Sequence, residues 1–392
     1  MSNVFILSGQ RTAIGDYGKT LKDIPPTKLG EIAIRAALAK SGVEGAEIQA
    51  VVMGNVIQTE ARDVYLSRVC AVEAGIRVEA PALTVNRLCG SGLQAIVSAA
   101  QSIMLGDADL AIAGGAESMS RGGYLLPTER WGARLGDSKV IDMVVGTLND
   151  PFGGGHMGIT AENVAARYQI GRDRQDEFAV ESHRRAAIAL EAGYFKEQIT
   201  PVELPSRKGT VIFDTDEHPR ADTTVASLGG LKPAFKKDGT VTAGNASSLN
   251  DGAAALVLAS ETEAGRRVAK PLARLVAYGH AGVDPAYMGL GPIPATQKAL
   301  KKAGLSIADI DVIESNEAFA AQACAVAQDL GFDPAKVNPN GGAVALGHPV
   351  GATGAIITVK ALYELQRIQG KYALVTMCIG GGQGIAAIFE RV

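Results

Sequence analysis

The sequence predicts an α/β fold in which mainly parallel sheets are covered by helices, and it predicts that this unit is present twice. Apolar residues at helical spacing are followed by short apolar strands, which is typical of alternating helices and strands. In addition, one internal repeat holds at a fixed displacement along the 392 residues. This length is too great for one small core and suggests about two to three domains.

The internal repeat has a displacement of 262 residues and occupies two separate segments. Single identities are common in a chain rich in alanine and glycine, but one register that holds across two segments indicates a duplicated half. The first segment repeats Ala33, Ala37, Leu38, Lys40, Gly42 and Ile48 as Ala295, Ala299, Leu300, Lys302, Gly304 and Ile310. The second repeats Gly92, Val97 and Ala99 as Gly354, Val359 and Ala361.

Each copy contains a predicted helix that is followed by a predicted strand. In the first copy Gly106 ends the helix and residues 108–113 form the strand; in the second copy Gly370 ends the helix and residues 372–377 form the strand. A strand-like segment also covers residues 1–7. The helical spacing in the first copy depends on Leu93, Ile96, Val97, Ala100, Ile103 and Met104.

A displacement longer than half the chain requires roughly 130 additional residues within or after the first copy. Residues 118–247 differ in character, with glycine clusters, the single Trp131 and scattered basic residues. We expect a loop-rich insertion where binding functions collect, although a solvated surface position is the simpler interpretation of any one basic residue. The predicted division is 1–118 plus 248–270 for the N-terminal half, 119–247 for the insertion and 271–392 for the C-terminal half.

Composition is that of a globular protein, with 47% hydrophobic and 20% charged residues and a net charge of −3. This charge does not favour binding to nucleic acid or to an anionic membrane. Four cysteines without a close pair do not resemble a disulfide framework or a zinc ribbon, which favours a reducing compartment. No signal peptide and no apolar stretch of about 18 residues is evident. We therefore expect a cytoplasmic enzyme.

Three glycine-framed segments each contain one reactive side chain. Glycine lets the backbone approach a substrate closely and adopt positive φ, so that a nucleophile, a base and N–H groups can surround one carbon. The three segments are N-R-L-C-G-S-G at 86–92, G-H-P-V-G-A-T-G at 347–354 and C-I-G-G-G-Q-G at 378–384.

Cys89 and His348 are the predicted nucleophile and base. Cys89 precedes the amphipathic helix, whose N–H groups and dipole should lower the thiol pKa and favour the thiolate. A buried, inert cysteine is the alternative. His348 lies in a turn-rich loop, where an imidazole can take the thiol proton and return it.

Two further polar residues follow apolar strands. Cys378 opens the glycine run at 380–382, whose N–H groups could face a developing oxyanion, while a phosphate-binding loop is the competing interpretation. Asn316 in N-E-A-F-A can orient a water, donate to a carbonyl oxygen, or cap a helix. Elsewhere, Cys70 and Cys324 are predicted core residues, His183 is a predicted surface residue of a helix, and His218 is a predicted loop residue.

In these motifs the chain resembles the thiolases along nearly its whole length, and most closely the bacterial acetyl-CoA acetyltransferase and β-ketothiolase branch. The combination of N-R-L-C-G-S-G, N-E-A-F-A, G-H-P-x-G-A-T-G and C-I-G-G-G-Q-G is very specific. The resemblance implies duplicated βαβαβ halves in a five-layer αβαβα arrangement, with an inserted loop domain that binds coenzyme A. It also implies a homotetramer, a dimer of dimers.

The resemblance assigns a role to each reactive residue. Cys89 would attack the thioester and carry the acyl group, activated by His348, while Cys378 would move the proton at the substrate α-carbon. Asn316, through a water, and His348 would form one oxyanion site. The backbone N–H groups of Cys89 and Gly380 would form the other.

The resemblance also implies contacts to acyl-CoA and CoA, which would be the substrates in a protein without a tightly bound cofactor or metal. Ser247 would meet the pantetheine arm, Arg220 and Ser227 would lie near the adenine, and Met288 would close the acyl pocket. The remaining implied contacts are Leu148, His156, Met157, Phe235, Ala243, Gly244, Ala318 and Phe319.

The predicted function is reversible Claisen condensation of acetyl-CoA with itself or another short acyl-CoA, through an acyl-Cys89 intermediate. A degradative 3-ketoacyl-CoA thiolase that prefers longer chains is the alternative. A decarboxylating condensing enzyme would not require the dedicated acid/base that Cys378 supplies. An inactive acyl-CoA-binding scaffold would lack Cys89, His348 or Cys378. A zinc site formed by these three residues and His156 is not supported either, because the four residues lack the short spacing of zinc ligands.

Overall fold

The computed structural model describes residues 3–207, 209–268 and 270–392. Met1 and Ser2 of the predicted first strand lie outside these residues. The helices are α1 (Pro26–Ser41), α2 (Leu66–Glu73), α3 (Ser91–Leu105), α4 (Met143–Thr147), α5 (Met157–Tyr168), α6 (Arg172–Glu191), α7 (Val225–Gly229), α8 (Glu261–Arg266), α9 (Pro292–Ala303), α10 (Ala320–Leu330), α11 (Ala343–Leu346) and α12 (Thr353–Arg367). The strands are β1 (Val4–Thr12), β2 (Gly15–Asp16), β3 (Ala50–Gly54), β4 (Ala82–Val85), β5 (Leu110–Ser118), β6 (Tyr124–Leu125), β7 (Ile141–Asp142), β8 (Asn149–Asp150), β9 (Gly155–His156), β10 (Ile199–Thr200), β11 (Val202–Ser206), β12 (Gly209–Phe213), β13 (Asn250–Ser260), β14 (Ala273–Gly282), β15 (Val312–Ser315), β16 (Tyr372–Ile379) and β17 (Gln383–Arg391).

The long strands form one hydrogen-bonded sheet in the order β15-β16-β17-β14-β1-β13-β5-β3-β4. The outer pairs β3/β4, β3/β5 and β15/β16 are parallel, as expected, but the pairs between them are antiparallel. Strands β16 and β17 are joined only by residues 380–382, and a short turn can connect only antiparallel neighbours. The prediction of mainly parallel sheets is therefore wrong in the middle of the sheet.

Three apolar clusters divide the molecule into five layers. The middle cluster contains α3 and α12 and the sheet faces on either side of them. A second cluster packs α1 and α2 on the outer face of the N-terminal strands, and a third packs α9 and α10 on the outer face of the C-terminal strands. The α/β class and the five-layer arrangement are confirmed.

The duplication is visible in the two central helices. Helices α3 and α12 are both 15 residues long, and they begin 262 residues apart at Ser91 and Thr353. Their first turns touch through glycine: a Cβ on Gly92 would lie 2.6 Å from the backbone nitrogen of Ala355, and one on Gly354 would lie 2.3 Å from that of Leu93. This contact brings the segments of Cys89 and His348 together.

Helix α3 is long and apolar enough, over Leu88–Leu105, to pass a composition test for a membrane span. It lies instead between the two halves of the sheet, where Leu93, Ile96 and Val97 have no exposed surface, although Leu105 at its end is exposed. A helix with one fully buried apolar face can pass the same composition test without crossing a membrane.

The segment between β5 and β13 is more helical than the loop-rich prediction. It contains α5 and the 20-residue α6 as well as the short α4 and α7. A buried, bidentate ion pair attaches this segment to the sheet. Arg11 of β1 donates to Asp216 of the segment at 2.7 and 2.9 Å. The residue boundaries proposed for the insertion and the two halves stay a prediction.

Candidate active site

A narrow cavity opens where the two central helices begin. The volume in which the centre of a water molecule can move there is about 50 Å³. Nine of the predicted site residues lie in its wall: Cys89, Leu148, Met157, Ser247, Met288, Ala318, Phe319, His348 and Gly380. Leu88, Thr147 and Val350, which sequence reasoning did not single out, complete it.

Cys89 lies at a sharp bend before α3. The preceding Leu88 has a φ of 46°, a backbone conformation that is unusual for a branched side chain, and Gly90 is the N-cap of the helix. Burial raises the pKa of the Cys89 thiol to about 11, with a smaller contribution from the Glu117 carboxylate, while the N–H groups of Gly380 and Cys89 oppose this increase. The prediction of a resting thiolate is therefore wrong, because burial outweighs the helix terminus.

His348 has a defined tautomer. The Thr353 hydroxyl donates to the carbonyl oxygen of Pro349 at 2.9 Å, and the Thr353 hydroxyl oxygen lies 2.7 Å from His348 Nδ1. Since that hydroxyl has only one proton, Nδ1 must donate to it, and Nε2 keeps its lone pair. The backbone N–H of His348 donates to Asn250 Oδ1 at 2.7 Å.

His348 Nε2 faces Asn316, and burial favours the neutral ring. The Asn316 side-chain nitrogen lies 3.5 Å from Nε2, and burial lowers the pKa of His348 to about 4. Asn316 Oδ1 is buried and makes no hydrogen bond within the described residues. A neutral imidazole whose Nε2 carries no proton can accept a proton from a thiol at neutral pH.

Cys378 is the more deeply buried thiol of the pair. It lies near the end of β16 with no exposed surface and packs with Met157, Met288, Ala318 and Phe319, which also line the cavity. Burial, with a contribution from Cys89, raises its pKa above the ordinary value. The following glycines, Gly381 and Gly382, have φ values of 78° and 83°.

A chain of aromatic rings leads from this cavity to the surface. The His156 ring stacks on Phe235 with centroids 4.6 Å apart, and Phe235 meets Phe319 edge to face at 6.1 Å. His156 Nδ1 accepts from the backbone of Gly158 at 3.0 Å. A Cβ on Gly158 would overlap Phe235, so this glycine allows the ring to lie against α5.

The remaining predicted contacts line a second, open cleft of about 370 Å³. Arg220, Ser227, Ala243 and Gly244 lie there together with His183 and His218. His183 is buried and not a surface residue as predicted: its Nδ1 accepts from the backbone of Arg220 at 3.2 Å. The face of α6 that carries His183 points toward the cleft. The sequence of α6 does not indicate this orientation.

In the described part of the chain no three His, Cys, Asp or Glu side chains converge on a metal-sized site. Cys70 and Cys324 are buried, as predicted for core residues. Three supporting residues escaped sequence reasoning: Thr353, Asn250 and Glu117. Glu117 had a detectable signal, because a carboxylate interrupts an otherwise small and apolar run, A-I-A-G-G-A-E-S.

Two family models together match nearly the whole chain. The model described as "Thiolase, N-terminal domain" matches residues 4–262, and "Thiolase, C-terminal domain" matches residues 269–391. The first model ends within α8, and the second begins in the segment that connects α8 to β14.

Individual proteins support the same assignment over the full length. The chain is 66% identical to the beta-ketothiolase BktB of Cupriavidus necator, and the match covers 99% of both chains. It is 49% identical to an acetyl-CoA acetyltransferase of Pseudomonas aeruginosa, with 100% of both covered. The solved structure of human mitochondrial 3-ketoacyl-CoA thiolase in complex with CoA superposes with a TM-score of 0.96 at 46% identity, covering 100% of this chain and 98% of that one. The chain therefore belongs to the thiolase family of acyltransferases.

Proposed function

We propose that the chain catalyses the reversible Claisen condensation of acetyl-CoA with acetyl-CoA or another short acyl-CoA, to give 3-ketoacyl-CoA and CoA. One observation carries the proposal: two thiols of unequal burial, Cys89 and Cys378, meet at one pocket beside the neutral imidazole of His348. One thiol can carry an acyl group while the other moves a proton.

In the first half-reaction Cys89 attacks the thioester carbonyl. His348 Nε2 takes the thiol proton as the carbon–sulfur bond forms, and the N–H groups of Cys89 and Gly380, which already point at this sulfur, stabilise the oxyanion. The bond to the CoA sulfur then breaks, and Cys378 gives its proton to the departing thiolate. The products are acetyl-Cys89, CoA, an imidazolium and the Cys378 thiolate.

In the second half-reaction the Cys378 thiolate removes a proton from the α-carbon of the second acyl-CoA. Because burial raises the pKa of Cys378, its thiolate is a strong base, as a weakly acidic C–H bond requires. The carbanion attacks acetyl-Cys89 and expels the Cys89 thiolate, which recovers its proton from His348. Asn316, through a water that donates to Oδ1, and His348 stabilise the enolate oxygen.

Replacement of Cys378 by glycine tests this division of labour. Acetylation of Cys89 by acetyl-CoA should persist, while formation of acetoacetyl-CoA should fall by roughly 10²–10⁴-fold, the range for loss of a general base. Intact-protein mass spectrometry reports the acetyl adduct, and a coupled assay reports condensation. Loss of the adduct with condensation retained would contradict the assignment. Product formation only from a malonyl thioester would indicate a decarboxylating enzyme.

For coenzyme A, we propose a path to Cys89 along the open cleft and the aromatic chain. The human relative solved in complex with CoA supports CoA binding by this chain. We assign Ser247, His156, Phe235 and the narrow cavity to the pantetheine and acyl groups, and Arg220, Ser227, Ala243 and Gly244 to the adenine end. No tightly bound cofactor is part of the proposal.

We also propose a preference for short acyl chains. The inner cavity is small and closed by Met157 and Met288, and the similarity to BktB is compatible with polyhydroxyalkanoate biosynthesis. Thiolysis rates should be highest for 3-ketoacyl-CoAs of four to six carbons, which roughly match the cavity. A kcat/KM that increases steadily toward longer chains would favour the degradative alternative.

We propose a cytoplasmic homotetramer, a dimer of dimers. Two separate surfaces expose large apolar side chains, and such surfaces mark protein interfaces. One surrounds the β6–β7 hairpin, and the other lies near the edge strand β4: Tyr124, Leu125, Trp131, Leu135 and Val140 in the first, Val64, Tyr65, Val72 and Leu83 in the second. Light scattering of the purified protein would measure the mass of the assembly. The proposed cytoplasmic location is supported by the four free cysteines, which fit a reducing compartment.

A further inference from the structure

Glu117 is a buried carboxylate that the proposed reaction does not use. It lies near the end of β5 with no exposed surface. Its Oε1 accepts from the side chain of Asn55 at 3.0 Å and from the backbone of Ile57 at 3.1 Å. Its Oε2 accepts from the backbone of Val56 at 3.1 Å and from that of Gly351 at 2.8 Å.

These four donors match an ionised carboxylate. Each oxygen accepts two N–H groups, and among the described residues no lysine or arginine pairs with Glu117. A carboxylate held in this way is fixed in position by every donor, since hydrogen bonds to a charged acceptor are stronger than those between neutral groups. Burial raises the pKa of Glu117, but the N–H groups of Ile57, Gly351 and Val56 oppose this increase. The proton of a neutral carboxyl, or of an amide, would lie against one of these N–H groups, so the geometry favours the ionised form.

The donors come from two different parts of the chain. Asn55, Val56 and Ile57 follow β3 in the N-terminal half, whereas Gly351 lies between His348 and α12 in the C-terminal half. The carbonyl oxygen of Gly351 also lies against Gly54 and Gly115, where a Cβ would come within 2.7 and 2.3 Å. The His348 segment therefore lies directly on the ends of β3 and β5.

Gly351 packs so closely against Glu117 that no larger residue would fit at this position. A Cβ on it would lie 2.4 Å from Glu117 Oε2 and 3.0 Å from the Cα of Asn55. The residues beside these contacts surround the nucleophile, because Ile57 and Val350 belong to one apolar cluster against which Cys89 packs. Glu117 thus contacts both the segment that carries His348 and the wall beside Cys89.

We propose that Glu117 is a positioning residue, which fastens the His348 segment to the N-terminal half and so sets the distance from His348 Nε2 to Cys89 Sγ. The inference rests on the proposed thiolase reaction, in which this distance governs acyl transfer. It assigns Glu117 no contact with substrate.

The test compares two substitutions of Glu117 in the full-length protein. Glu117→Gln removes the charge and places the N–H groups of the amide against the N–H donors. The acetylation rate of Cys89 should therefore fall by about 100-fold, because a small misplacement of a catalytic base has an effect of this size. The KM should change little. Glu117→Asp keeps the charge but cannot reach all four donors, so acetylation should fall by about tenfold.

Alkylation of Cys89 by iodoacetamide separates positioning from general damage. The Glu117 charge raises the pKa of Cys89. Glu117→Gln should therefore alkylate roughly threefold faster than the wild type at pH 9, although it transfers acetyl more slowly. Glu117→Asp should alkylate at the wild-type rate. A structural defect that merely exposed Cys89 would speed alkylation in Glu117→Asp as well, so a wild-type alkylation rate in Glu117→Asp excludes it.

Asp63 provides a matched control. It is a buried carboxylate in the same half that accepts only from Thr59 and Glu60 of its own turn. Asp63→Asn should leave both rates within about twofold of wild type. Acetylation by Glu117→Gln at the wild-type rate, or a parallel fall of both rates, would overturn the proposal.

If Glu117→Gln does not fold, Asn55→Ala tests the same positioning role, because it removes one hydrogen-bond donor to Glu117 and keeps the charge. Acetylation should then fall three- to tenfold, in line with the loss of one hydrogen bond, and an unchanged rate would overturn the proposal. A wild-type protein that acquires no acetyl group from acetyl-CoA would contradict the thiolase reaction instead, and its alkylation would still report on Glu117.

Discussion

At the scale of single residues, the catalytic properties of His348 depend on a hydroxyl that touches no substrate. Thr353 accepts from Nδ1 and donates to Pro349, so the lone pair of His348 is left on Nε2, toward Asn316. Without this oxygen the imidazole could adopt the other tautomer or rotate, and the basic nitrogen would no longer face Asn316. Second partners of catalytic histidines commonly set the tautomer in this way.

Thr353→Val therefore tests the tautomer. The substitution preserves the shape of the side chain, and kcat for acetoacetyl-CoA thiolysis should fall by roughly 10–100-fold, part of the contribution of a positioned base. Thr353→Ser should restore most of the rate. Thr358→Val is the control, because Thr358 is buried in the same helix and its hydroxyl bonds only the carbonyl of Gly354. Equal losses in the two valine variants would contradict the role of Thr353.

At the scale of elements, the site depends on the close approach of α3 and α12. Their first turns meet backbone to backbone at Gly92 and Gly354, so neither position has room for a Cβ. Helices in such contact are held at one separation, because the neighbouring atoms are backbone and cannot move aside. The segments of Cys89 and His348 enter these two helices, so their separation follows from the same contact.

Gly92→Ala should push the two helices apart. We expect a loss of stability of about 1–3 kcal/mol, the usual cost of overpacking a core, together with a large fall in Cys89 acetylation. Thermal unfolding and the acetylation rate would measure the two effects. Gly265→Ala in α8 is the control, since a Cβ there meets no atom within 4 Å and should be neutral or slightly stabilising. Wild-type behaviour of Gly92→Ala would show that the helices can separate without consequence.

The elements also show which parts of the fold the sequence reveals. Helices α3 and α12 were predictable because their buried faces are apolar and the residues recur at one displacement. Helix α6 was not, because its buried face consists of alanines and polar residues: Gln175, Asp176, Ala179, Ser182, His183, Ala186 and Ala189. Ser182 bonds Glu317 and Gln175 bonds Thr240, contacts far away in sequence that a hydrophobic period cannot indicate.

At the scale of the whole molecule, the motifs identify the reactive side chains but not their environment. The position of Cys89 before a helix is evident in the sequence, whereas its burial beneath the insertion and beside Glu117 requires the assembled fold. For that reason the expected low pKa of Cys89 became a raised one. The same applies to Glu117 and Asn250, whose partners Gly351 and His348 come from the opposite half.

Burial of the thiols also determines how the stability of the whole protein responds to alkaline pH. Burial raises the thiol pKa of all four cysteines, and for Cys89 and Cys324 it raises the pKa to about 11, from 9.0. Between pH 9 and 11 the unfolded chain loses these protons and the folded protein retains them. The free energy of unfolding should therefore decrease as pH rises through this range.

Urea unfolding under reducing conditions at pH 8, 9 and 10.5 would measure this decrease. Cys324→Ala removes one of the four thiols and should show a smaller decrease than wild type between pH 9 and 10.5. A free energy of unfolding that stays constant from pH 9 to 10.5 would mean that these thiols are solvated in the folded protein.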